Sequence, residues 1–296
     1  EDGSCSSVPP LLVTVLVQDL LDVKRVLVLS CGVKVDQRAL EDLPAGVSHP
    51  RGIDIDEEGE WIAAVSDERG RVTLHRSGGR RSPTRHVATF PLVSALLDGH
   101  IVVAESRASR TDENVIVLDP RGEVVARFNA GDDIVGIFGL PGCVVCTYGD
   151  EGTTNRAGAA REGIAVFDLA GKLLLGYASR SKRVSITEVY GAAWLGGTRL
   201  AALCYPDFDL LVLDIATPSE EVHRTPVKLH GACSMSARSD ELFFYARSRD
   251  RIDVWRPGQK RVTSLKAPRA VAIRALSAGR FVVRDDRGQH SVISVA

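Results

Sequence analysis

VIVLDPRGEVVARF at 115–128 and IAVFDLAGKLLLGY at 164–177 are two copies of one pattern. Each has an apolar run, a turn carrying Asp and Gly, and a second run beyond the glycine. Val, Ile and Phe favour extended backbone and Asp, Pro and Gly favour turns, so each copy reads as a β-hairpin. Outward from these, VLVLSCGVKVDQRAL (26–40) and IDVWRPGQKRVTSL (252–265) repeat the pattern, with looser copies from Val72 and from Leu210. The residues that follow each first run, Ser30, Arg76, Asp119, Asp168, Asp214 and Arg256, recur about every 45 residues.

A second pair of short runs precedes most hairpins: GIDIDEEGEWIAAVSD (52–67), VSALLDGHIVVAE (93–105), GIFGLPGCVVCTYG (136–149), GAAWLGGTRLAALCY (191–205), GACSMSARSDELFFYA (231–246) and VAIRALSAGRFVVRD (271–285). Four short strands per repeat, the first rich in small residues and none separated by a long amphipathic helix, describe the blade of a β-propeller. The five secure intervals leave about 60 residues to close the ring, nearer to one blade of about 45 than to two. Six blades are expected, with seven as the alternative. The sheet begun by 271–296 would be completed by N-terminal strands from 11–40, which removes the two open edges of an unclosed ring. Residues 1–10 then form a flexible tail and 11–296 a single domain.

The stretch HPRGIDIDEEGEWIAAVSD (49–67), together with VIVLDPRGEVVARF, resembles the NHL-repeat, YVTN-type and gluconolactonase-like propellers. The periodicity covers nearly the whole chain, but the motifs are strand-and-turn patterns shared by many functions, so the resemblance speaks to fold and little to activity. In gluconolactonase-like propellers a metal at the channel mouth is held by carboxylates and an Asn and polarises a lactone carbonyl. None of Asn114, Asn129 and Asn155 aligns with that ligand.

Composition narrows the partners. Thirty-seven basic residues stand against thirty-eight acidic ones, so no global positive field exists to hold a nucleic acid. The longest apolar run, Leu11 to Val17, is too short to span a bilayer. Six cysteines, most of them in apolar runs, read as buried thiols. Cys143 and Cys146 stand three apart, which on a strand puts them on opposite faces. Thiols without a glycosylation sequon favour a reducing cytoplasm. Secretion stays open because the chain starts at Glu1, and a monomer is expected.

Connections between blades and loops between second and third strands emerge on one face of a propeller and usually carry function. They place His49, Arg51, Asp67, Glu68, Asp132, Asp133, Glu188, Tyr190, His230 and Arg269 around one channel mouth as candidate ligand-binding residues. Glu105, Asp132, Glu188, Asp207 and His230 are the candidate ligands or bases for a divalent cation, calcium, magnesium or zinc, that would activate water in a hydrolase or lactonase. Loop charges paired with one another or with water are the preferred reading. No nucleophile, base and orienting group can be named together, so a binding module for a protein partner or a small polar ligand ranks above an enzyme. The polar loop YGDEGTTNRAGAAREG (148–163), the longest excursion on that face, is the expected place for specificity, as a lid or a partner surface.

Other motifs carry less. Asp54, Asp56 and Glu58 before Gly59 resemble the start of a calcium loop, but Val65 stands where its closing Glu belongs. Ser179 and Lys182 form an SxxK between blades rather than on a helix. Arg76, Arg80, Arg81, Arg85 and His86 lie on a hairpin assigned to the face opposite the mouth. Trp61, Trp194 and Trp255 are expected to fill the space between blades.

Overall fold

Strands buried on both faces read as continuous apolar runs, and period two then sends alternate side chains to different neighbours. A computed structural model describes residues 34–296 apart from 45, 57, 97, 110, 141, 155–157, 218, 247 and 248. Its strands form six four-stranded antiparallel sheets. Blade 1 comprises β2 (Ile53–Ile55), β3 (Trp61–Ser66), β4 (Arg71–Arg76) and β5 (Arg81–Val87). Blade 2 comprises β6 (Pro91–Ala95), β7 (Ile101–Glu105), β8 (Val115–Leu118) and β9 (Val124–Phe128). Blade 3 comprises β10 (Ile134–Leu140), β11 (Cys143–Tyr148), β12 (Ile164–Asp168) and β13 (Leu173–Gly176). Blade 4 comprises β14 (Glu188–Gly196), β15 (Arg199–Tyr205), β16 (Asp209–Asp214) and β17 (Glu220–His223). Blade 5 comprises β18 (Ser234–Arg238), β19 (Glu241–Ala246), β20 (Arg251–Trp255) and β21 (Thr263–Lys266). Blade 6 takes β22 (Ala272–Ala275), β23 (Arg280–Arg284) and β24 (His290–Val295) from the C-terminus and β1 (Val35–Ala39) from the other end of the chain.

The ring therefore has six blades, closed by N- and C-terminal strands. Val35 pairs with Val295 and Ala39 with Ser291. One strand of the 11–40 segment makes this closure, as the outermost strand of blade 6; the runs at 11–33 lie outside the described residues.

The apolar core is divided among six seams, one between each pair of neighbouring blades. Within β8, Val115 and Val117 face blade 3 while Ile116 and Leu118 face blade 1. Cys146 faces blade 2 and Cys143 blade 4, the opposite faces that their spacing requires. Burial pushes the thiols of Cys146 and Cys204 up to about 12, so they act as small apolar groups. Trp255 fills the seam between blades 4 and 5. Trp61 packs against the seam of blades 6 and 1 and Trp194 against that of blades 3 and 4; both are half-buried and also border the central channel.

The hairpin turns explain the repeating Asp and Gly. In Asp67–Gly70, Asp119–Gly122, Asp168–Gly171 and Asp285–Gly288 the carboxylate Oδ1 accepts the backbone N–H groups two and four residues on, at 2.8–3.0 Å. The glycine closes the turn with φ between +74° and +92°, a left-handed conformation that a side chain disfavours. Asp56 and Gly59 make a related turn, with Asp56 Oδ1 2.8 Å from Glu60 N. The calcium-like spacing at 54–59 belongs to this turn.

Candidate binding site at the channel mouth

The six innermost strands surround a channel of about 900 Å³. Small residues on these strands, such as Gly136, Gly191 and Ala192, leave room for it. Glycine is required where neighbours come closest: at Gly139 the nearest atom to an added Cβ would be Leu96 Cγ at 2.6 Å.

Inside the channel Arg274 on β22 reaches across two blades. Its guanidinium donates to the carbonyls of Arg51 (2.7 Å), Ile53 and Val93 (2.5 Å) and lies 3.6 Å from Asp54 Oδ1. Asp54 Oδ2 in turn accepts the N–H of Ala95 at 2.7 Å. Burial lowers the Arg274 pKa and Asp54 opposes that shift. Blades 6, 1 and 2 are thereby tied together from within. These two residues were not singled out for the site by the loop-based reading, although a lone charge in the inner-strand run VAIRAL was a visible signal.

At the mouth, Arg51, Glu188 and Tyr190 line the channel. Arg51 sits in a 3-10 turn, Pro50–Gly52, that leads into β2, and His49 caps that turn by accepting the Arg51 N–H on Nδ1 at 3.1 Å. Desolvation, then Arg51, Arg284, His290 and Arg274, lower His49 to about 4, which keeps the imidazole neutral near pH 7. Arg51 is exposed by area, yet the walls of the mouth desolvate it and lower its pKa, with Asp133 acting in the opposite sense. Glu188 opens β14 and is half-buried; desolvation first, then Asp150 and Asp133, raise its pKa. Neither Arg51 nor Glu188 makes a side-chain hydrogen bond or ion pair among the described residues.

Beside Glu188 stands an aromatic group. Tyr190 lies 5.8 Å from Tyr205 and 5.2 Å from Phe208, and Phe208 stacks on His230 at 4.6 Å. His230 Nε2 is buried without a hydrogen-bond partner among the described residues.

The remaining expected residues surround this mouth with other tasks. Asp132 Oδ1 accepts the Ala108 N–H at 2.9 Å, and Asp133 Oδ2 accepts those of Glu151 and Gly152 at 3.1 and 3.2 Å. Arg107 lies 3.4, 3.5 and 2.5 Å from Asp132, Asp133 and Glu151. The pair is thus held inside a network rather than open to a ligand. Glu105 accepts the N–H groups of Thr89, Phe90 (3.1 Å) and Arg107 (3.1 Å). Asp67 belongs to its turn, while Glu68, Asp207 and Arg269 are exposed on their loops.

Among the described residues no three His, Cys, Asp or Glu side chains gather as metal ligands. Glu105 spends both oxygens and Asp132 its Oδ1 on backbone N–H groups, and the five do not gather, so the residues present do not fit the divalent-ion set formed with Glu188, Asp207 and His230.

The 148–163 excursion has helical structure among its described residues. It contains a helical turn, α1 (Asp150–Thr154), and a 3-10 segment, Gly158–Glu162. An added Cβ at Gly149 would collide with Asp133 Oδ2 and one at Gly152 with the Asp132 carbonyl, which accounts for both glycines. Glu162 is buried and accepts Ser179 N and Oγ, each at 2.6 Å. Lys182 Nζ donates to the Ala178 carbonyl at 2.8 Å, so the SxxK residues have separate structural partners.

No protein family matches the chain and no curated protein is significantly similar to it in sequence. The fold is shared with solved structures. A calcium-binding protein, regucalcin, from Agrobacterium tumefaciens strain C58 is 15% identical, with 87% of this chain and 93% of that one covered and a TM-score of 0.53. A chain of a nidogen/laminin complex is 13% identical, with 90% and 95% covered and a TM-score of 0.54. Virginiamycin B lyase from Staphylococcus aureus is 9% identical, with 89% and 100% covered and a TM-score of 0.50. Such likeness speaks to the fold, the β-propeller, and these neighbours include both an enzyme and a protein complex.

Proposed function

We propose that this propeller is a non-catalytic binding module whose channel mouth takes up a small polar ligand or a polar side chain of a protein partner. One observation carries the reading: Arg51 and Glu188, both charged and neither paired within the described chain, border one open cavity. Charges on the walls of a narrow concave site act more strongly than on an open surface, because little water lies between them and a ligand. The rest of the mouth supports them: Arg274 holds blades 6, 1 and 2, and the Arg107 network holds the loops of blades 2 and 3. A preorganised rim of this kind lowers the ordering cost of binding.

The alternative, a metal-dependent lactonase, would require a ligand set that the described residues do not bring together. A thermal-shift screen of small polar compounds against the native chain and Glu188→Lys tests the proposal. A ligand at a hundred times its Kd stabilises by about 2.7 kcal/mol. That gain should vanish in the variant while the melting temperature without ligand is retained. Ligands that stabilise both chains equally would remove the mouth as the site.

A further inference from the structure

We propose that the mouth is built for a zwitterion, a molecule whose anionic group meets Arg51 and whose cationic group, at a separated position, meets Glu188; this rests on the mouth being the binding site. Arg51 introduces blade 1 and Glu188 opens blade 4, three places apart in a ring of six. The two residues therefore face each other across the channel axis, lining the same cavity without pairing with one another.

Each stands among charges mostly of its own sign, although Asp54 pairs with Arg274 on one side, Arg107 pairs with Asp133 on the other, and Asp133 also acts on Arg51. On the Arg51 side stand Arg274 and Arg284, whose charges, with that of Arg51, act on His49. On the Glu188 side stand Asp150 and Asp133. A simple anion would be attracted by one side and repelled by the other, and a simple cation likewise. A molecule carrying both charges, oriented along the line from blade 1 to blade 4, meets attraction at each end. Tyr190, in ring contact with Tyr205 and Phe208, lines the cavity two residues from Glu188 and adds an aromatic surface suited to an ammonium group.

Isothermal titration with the ω-amino acids from glycine through aminohexanoate to aminooctanoate tests this, with hexanoate and hexylammonium as single-charge probes. Affinity should peak at one chain length and exceed both single-charge probes by about tenfold, the worth of one charge-assisted hydrogen bond. Arg51→Gln and Glu188→Gln should each reduce the best binder to the level of a single-charge probe without altering the melting temperature. A single-charge probe that binds as tightly as the best amino acid overturns the zwitterion while leaving the mouth as a site. So does an amino acid whose binding survives both substitutions. If none of the series binds, the zwitterion falls, whereas the mouth itself falls only if the compound screen also yields no ligand sensitive to Glu188.

Discussion

Arg274 and Asp54 meet inside the channel, Nη2 to Oδ1 at 3.6 Å, although they stand in the last and first blades of the ring. The same guanidinium satisfies three backbone carbonyls on blades 1 and 2. It works as a seam bolt on the mouth side, and Arg280, which donates to the Asp56 carbonyl at 2.6 Å, does the same between blades 6 and 1.

Arg274→Met should destabilise the ring by about 3–5 kcal/mol, since it leaves Asp54 unpaired and strips three carbonyls of their donor. Arg274→Lys should recover little, because an ammonium lacks the planar fork that reaches both blades. Urea unfolding measures both. A midpoint for Arg274→Met within error of the native chain would mean that water replaces the guanidinium at no cost.

Ring closure by β1 predicts the behaviour of a shortened chain. A protein that begins at residue 41 lacks the partner of β24 and the Val35 side chain, and it exposes Phe281, Ile293 and Val295 at the seam with blade 5. It should aggregate or unfold without cooperativity. A soluble 41–296 fragment with one sharp melting transition would show that β1 is dispensable.

The Asp turns predict a response to acid. The N–H of Arg71 holds the Asp67 carboxyl below its ordinary pKa, and that of Glu123 does so for Asp119. A depressed carboxylate contributes stability that is present above the unfolded value, about 3.9, and is lost as pH falls through the folded one. The D67N/D119N double variant should therefore melt below the native chain at neutral pH, with the gap narrowing as pH falls below about 3.9. Calorimetry at both pH values checks it; a gap that stays constant would mean that the turns need only an acceptor, not a charge.

His86 should shape stability at milder pH. It is buried, and burial, followed by Arg127, lowers it to about 4. The unfolded chain takes up that proton near pH 6.5, so stability falls as pH drops from about 6.5 to 4 and then levels. The full effect is about 3 kcal/mol. His86→Leu should reduce that slope in denaturant titrations across the same range, leaving the part that His49 contributes. An unchanged slope would place the titration elsewhere.

The architecture was legible in the sequence because it is repeated locally. Each Asp-x-x-Gly turn and each alternating strand is specified by residues within about ten of one another, and the blade count follows from their spacing. The mouth was legible in part: blade topology alone placed Arg51, Glu188 and Tyr190 on the channel, since connections between blades must emerge there. What separates them from Glu105, Asp132, Asp133 and Asp67 is occupancy, and occupancy depends on partners such as Phe90, Ala108 and Arg107 that no motif announces. The placing of Arg51 and Glu188 on one channel, and the meeting of Arg274 with Asp54 within it, involve residues far apart in the sequence. A hairpin's geometry is set by its own few residues; these encounters exist only once the whole ring has closed.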